Sequence, residues 1–167
     1  MERLSLPDIV IRKLKDEASR AGFSSEELAG EIILNELSKD PEDGISFYVS
    51  LYNKYIKEAE DLIKKNDYIQ ASEKIWGAAA SSVKAAAIKM IGRRLTSHSE
   101  LWEFISELVD KTGDQELGLL WRTAISMHIN FYENWAPPKE VIRALKQIKK
   151  FAEKIFKYAG LRNSTKG

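Results

Sequence analysis

The sequence predicts an all-α protein: an antiparallel helical bundle of about five helices, preceded by a small two-helix segment over residues 1–40. Three observations carry this. Apolar residues recur at three- and four-residue spacing through nearly every segment. Capping residues and Gly or Pro stops fall where those periods begin and end. The connections are only a few residues long, which favours antiparallel neighbours. Only Glu2 to Leu6 reads as a possible strand.

Pro7 at a first-turn position opens a helix from Asp8 to Ala21, with Ile9, Ile11, Leu14 and Ala18 at helical spacing and Gly22 as a left-handed stop. Ser24 with Glu27 forms a capping-box pattern for a second helix to about Leu37. Asp40-Pro41 starts a third through Phe47, Leu51, Tyr55, Ala59 and Leu62 to about Lys65, and Asn66-Asp67 breaks it. The fourth runs from Tyr68 to Ile91, stops at Gly92, and is rich in small residues from Gln70 to Ala87, as suits a helix at a bundle centre or a dimer seam. Ser97 with Glu100 is a second capping box, for a helix to Lys111 with Gly113 beyond it. Asp114 caps the helix that carries Arg122 and His128, Pro137-Pro138 ends it, and Lys139 to Ala159 closes at Gly160 before a polar, frayed tail.

Composition removes several classes of function. The chain has no cysteine, so disulfides, thiolate zinc sites and a cysteine nucleophile are excluded, and two histidines argue against a histidine-rich metal cage or any cofactor held by one. No apolar run approaches a membrane span and the N-terminus lacks a signal-peptide core, which predicts a cytoplasmic protein. Charged residues make up 31%, with Lys and Glu dominant, as in thermophile usage. The net charge of +1 hides an asymmetry: residues 1–40 hold six basic and nine acidic residues, whereas nine basic and two acidic follow from Pro137 onward.

One apolar helix carries chemistry. On a 3.6-residue period Leu117, Leu120, Trp121, Ala124, His128, Phe131 and Trp135 share a stripe, so an imidazole stands where the pattern calls for leucine. Histidine is the side chain that exchanges a proton near neutral pH, and a buried ring needs a hydrogen-bond partner whether or not it reacts. Glu73 lies between Ile69 and Trp76 on another apolar stripe and reads as a buried carboxylate, with Arg122 the expected ion-pair partner. His98 follows Arg93, Arg94, Thr96 and Ser97 at a helix start, a phosphate contact or simply a solvated loop. Trp102, Trp121, Trp135, Phe104 and Phe131 read as core. Lys139, Arg143, Lys146, Lys150, Lys154 and Lys157 line one face of the last helix, an RNA-facing surface or a solvated one.

The small-residue helix, RLTSHSELWEF (Arg94 to Phe104) and LLWRTAISMHINFYENW (Leu119 to Trp135) together resemble the archaeal PaREP family, from about Ser46 to Tyr158. PaREP proteins are in turn similar to HEPN domains, helical bundles that include nucleotidyltransferase-associated proteins and toxin-type ribonucleases. The resemblance implies a signature of arginine, a polar residue and histidine, matched by Arg122, Thr123 and His128. It departs where many HEPN nucleases carry tyrosine two residues after the histidine: Asn130 stands there, and Tyr132 one turn on. The implied functions are binding of RNA or nucleotide with metal-independent RNA cleavage, or a non-enzymatic role presenting substrate to a nucleotidyltransferase partner.

Six residues apart on a straight helix, Arg122 and His128 are separated by about 9 Å of rise and about 120° of rotation. A homodimer would answer this, with His128 from each chain as base and acid and Arg122 as the clamp on the phosphate. Leu4 to Leu37 resembles a ribbon-helix-helix module, whose chains pair through short strands. Its acidic balance makes DNA an unlikely partner and favours dimerisation or docking.

Overall fold

In the computed structural model, which describes residues 2–163, the all-α expectation is met: seven helices form among those residues and no strand. They are α1 (Asp8–Ala21), α2 (Ser25–Leu37), α3 (Pro41–Lys64), α4 (Tyr68–Ile91), α5 (His98–Thr112), α6 (Gln115–Glu133) and α7 (Pro138–Ala159). The strand read at Glu2 to Leu6 does not form, because a single extended segment has no second strand to pair with in one chain. Of the polar tail, residues 164–167 lie outside the described residues, while Leu161 donates its amide to the Phe156 carbonyl at 2.8 Å.

Helix boundaries follow local chemistry. Gly22, Gly92, Gly113 and Gly160 each stop a helix in the left-handed conformation, and Asp40, Asp67, Asp114 and Ser97 each cap one with a side-chain oxygen. At Ser97 the box closes in both directions with Glu100. At Ser24 only half of it forms: the hydroxyl accepts from the Glu27 amide at 3.1 Å, but the Glu27 carboxylate turns inward to Lys84.

α4 is the centre. It packs against α3, α5, α6 and α7, and its run of Ala and Ser lets those helices approach from several sides. Trp121 is fully buried, 5.4 Å from the Trp76 ring and stacked on Phe151 at 5.7 Å. Three of the aromatic residues expected in the core are not: Trp102 and Trp135 are 38% and 53% exposed, and Phe131 is half-buried outside the core cluster. Trp135 lies past the left-handed stop at Asn134, where α6 has ended.

The residue two positions after His128 is a structural amide. Asn130, 1% exposed, donates to Ser72 Oγ at 2.8 Å and accepts from the backbone amides of Trp135 and Ala136 at 2.9 and 2.7 Å, which fixes the end of α6 to α4. Asn130→Leu leaves these groups unpaired and should lower the unfolding free energy by about 2–4 kcal/mol in urea titration.

The head lies on its own bundle through α2. Ser24 meets the Tyr55 hydroxyl at 2.7 Å, Tyr48 donates to Glu31, and Lys54 pairs with Glu26. Gly30 permits the contact, since a Cβ there would fall 2.3 Å from the Phe47 ring. α1 packs on α2 and on no other helix.

Candidate functional site

The antiparallel α5–α6 hairpin brings the first residue of α5 opposite the later turns of α6, and so His98 against His128. Their ring centroids are 5.0 Å apart, edge to face. His98 is held at the start of α5 by the capping box, and Glu100 is anchored further by Arg93 at 2.8 Å and Thr96. Neither histidine is solvated in the manner of a loop residue: Trp76, 2% exposed, lies beneath both at 4.8 and 5.3 Å. Glu73 on α4 sets Oε2 3.7 Å from His128 Nδ1, and Tyr132 meets the same ring edge-on at 5.4 Å.

The turn between α1 and α2 covers the pair. Phe23 stands edge-on to His98 at 6.0 Å, and a Cβ on Gly22 would lie 3.1 Å from His98 Cε1 and Nε2. Gly22 is therefore required twice, for its positive φ of 75° and for this close approach. His98 Nε2, His128 Nδ1 and Glu73 Oε2 are each shielded from water with no hydrogen-bond partner within the chain. Such atoms are rare in a relaxed core, and here three fall in one cluster. Burial holds the His98 ring below its ordinary pKa, the charge of a protonated His128 and that of Lys84 push the same way, and the Gly22 backbone and Glu73 pull back.

Beneath the cover lies a second polar pair that sequence reasoning missed. Lys84, in the middle of the small-residue run, is 1% exposed and donates to Glu27; its ammonium stands 3.4 Å from the centroid of the Phe23 ring. Burial pushes the Glu27 carboxyl up in pKa, and Lys84 opposes the shift. A lone lysine among alanines was the available signal.

The remaining candidates separate. Arg122 is exposed on another side of α6 and reaches neither Glu73 nor His128, so the expected Arg122–Glu73 ion pair is replaced by the contact of Glu73 with His128. Thr123 is half-buried on α6. Arg93 is occupied by Glu100, and Arg94 faces Gly44 and Tyr48, away from the histidines. On α7, Arg143 pairs with Glu140, Lys150 with Glu116, and Lys154 with Asp114 and Glu116, so half of that basic face is neutralised locally. Among the described residues no group of three or more His, Asp or Glu is arranged to hold a metal ion, and no helix is long and apolar enough to cross a membrane.

Two imidazoles at this separation can supply a base and an acid to one reacting group. A family model described as the archaeal PaREP1/PaREP8 family matches residues 47–152, which includes both histidines, Glu73 and Arg122 but not the covering turn. The crystal structure of a protein from Sulfolobus solfataricus superposes with a TM-score of 0.54 at 24% identity, covering 64% of this chain and 94% of that one, a likeness of fold. No curated protein matches the chain.

Proposed function

The chain belongs to the archaeal PaREP1/PaREP8 family, and from that premise we propose that it is a HEPN-like protein that binds RNA or nucleotide and cleaves RNA without a metal ion. The observation that carries this reading is the His98–His128 pair, 5.0 Å apart within one chain with Glu73 3.7 Å from His128 Nδ1. His98, whose burial favours the neutral ring, takes the 2′-hydroxyl proton. The 2′-oxygen attacks phosphorus, and the bond to the 5′-oxygen breaks. A protonated His128, with Glu73 as counter-charge, delivers its proton to the leaving oxygen. The products are a 2′,3′-cyclic phosphate and a 5′-hydroxyl. Because the Gly22–Phe23 turn covers His98, productive binding includes displacing that turn. Incubating the protein with unstructured RNA in chelator and identifying the new ends tests the reaction; linear 2′- or 3′-phosphates formed directly, or intact RNA, would remove it.

A second reading, a non-enzymatic module such as a substrate-presenting partner of a nucleotidyltransferase, is favoured by the outer face of the head. There Leu4, Ile9, Ile32, Ile33 and Leu37 are 43–80% exposed, a concentration of apolar surface that marks interaction sites. Within that reading the head is a docking or dimerisation element, and the occupant proposed for its exposed apolar residues is a second copy of the chain. Light scattering at micromolar concentration should then give about twice the 19.0 kDa chain mass. A monomer would reserve the face for another protein.

A further inference from the structure

Four glycines lie inside helices, and packing accounts for three. A Cβ on Gly30 would meet Phe47 at 2.3 Å, one on Gly77 would meet Tyr55 at 3.0 Å, and one on Gly44 would meet Ile88 and Arg94 at 3.2 and 3.3 Å. Gly118 is different: its Cβ would make one ordinary contact, 3.6 Å from Val109 Cγ2. Glycine in a helix costs stability relative to alanine. Packing gives no reason for it at this position. What its bare backbone does is form the floor of a hollow of about 240 Å³ between α5 and α6.

The hollow's other walls are suited to one ligand chemistry. Trp102 presents a flat ring that is braced edge-to-face on Trp121 at 6.1 Å yet remains 38% exposed. Leu119 is 59% exposed and Gln115 supplies an amide. The guanidinium of Arg122 lines this hollow and has no carboxylate partner among the described residues. An apolar floor, a stacking ring, a hydrogen-bonding amide and an unspent cation make a subsite for a nucleobase with its phosphate. The hairpin register also places it well. Trp102 is one turn along α5 from His98 and Arg122 is six residues before His128, so the hollow is built on the same two helices as the histidine pair, nearer to the α5–α6 turn.

We propose that this hollow holds one nucleotide of a single-stranded RNA, its base stacked on Trp102 in the space that Gly118 helps leave open and its phosphate paired with Arg122, upstream of the bond presented to His98 and His128. The proposal rests on the RNA reading above and gives Arg122 a role in binding. The test uses the full chain, with adenosine 5′-monophosphate and a fluorescein-labelled 2′-O-methyl oligonucleotide as probes; the latter cannot be cleaved by 2′-oxygen attack. Tryptophan fluorescence should fall on titration with the mononucleotide, and most of the quench should be lost in Trp102→Phe. Trp102→Ala should weaken oligonucleotide binding by about 5- to 150-fold. Arg122→Gln should weaken it and reduce its salt dependence. Gly118→Leu should block it, and Gly118→Ala should weaken it while raising Tm by about 1–4 °C. Stabilisation together with lost affinity is a result that a merely structural glycine would not give. Oligonucleotide binding that is unchanged in all four variants would overturn the subsite and leave the RNA reading standing. Absence of binding by the parent protein would overturn both.

Discussion

His128→Ala and His98→Ala should each lower RNA cleavage by about 10²- to 10⁴-fold, the range for loss of a positioned acid or base. The double variant should be little worse than either single one, because the two rings serve one step. His128→Gln and His98→Gln keep more of the packing against Trp76 and should be equally inactive. The pH profile adds a sign. Burial holds the His98 ring of the free, covered protein below its ordinary value of 6.5, so its neutral, basic form persists into mild acid and the acid limb of the kcat/KM profile should lie below pH 6.5. The same group affects stability. The unfolded chain binds more protons than the folded one between the two pKa values, so this contribution is complete above 6.5 and is lost as pH falls through that window. Full cleavage by His98→Gln would return the chemistry to His128 alone and with it the need for a second chain.

Lys84→Met should produce the largest loss of stability, about 3–5 kcal/mol by urea titration, because it leaves the Glu27 carboxyl buried beside Phe23 with no counter-charge. The double variant Lys84→Met/Glu27→Leu should recover most of it, since an apolar pair of similar volume removes the cost of desolvating two charges. A single variant as stable as the parent would mean that water reaches the pair.

The sequence made the fold legible wherever structure is decided within a few residues. The Ser97/Glu100 box, the Asp40-Pro41 start and the four left-handed glycine stops depend on chemistry inside one turn, and all occur as read. Where a distant partner competes, the reading fails. Glu27 has the spacing of a capping box, but Lys84, 57 residues away, offers a buried carboxylate more than a backbone amide does. His98 follows a loop, where no periodicity tells which way a ring faces; the α5–α6 hairpin turns it inward. Trp102 has the spacing of a core residue, yet it stands at the rim of the α5–α6 hollow, 38% exposed and braced edge-on against Trp121. The His128 stripe was visible, and its partner in the same chain was not.

The support of α1 by α2 alone has a consequence for how the molecule opens. The hydrogen bonds of α1 are protected by one neighbour, whereas those of α4 are enclosed by four helices. Hydrogen exchange should therefore divide the chain into tiers, with α1 amides exchanging first, α2 next and α4 only on global unfolding. The middle tier sets access to the histidines, because when α2 lifts, Gly22 and Phe23 leave His98 with it. Exposure of the proposed RNA-cleaving pair then becomes a subglobal opening equilibrium, and any partner that grips the head shifts that equilibrium without touching either histidine.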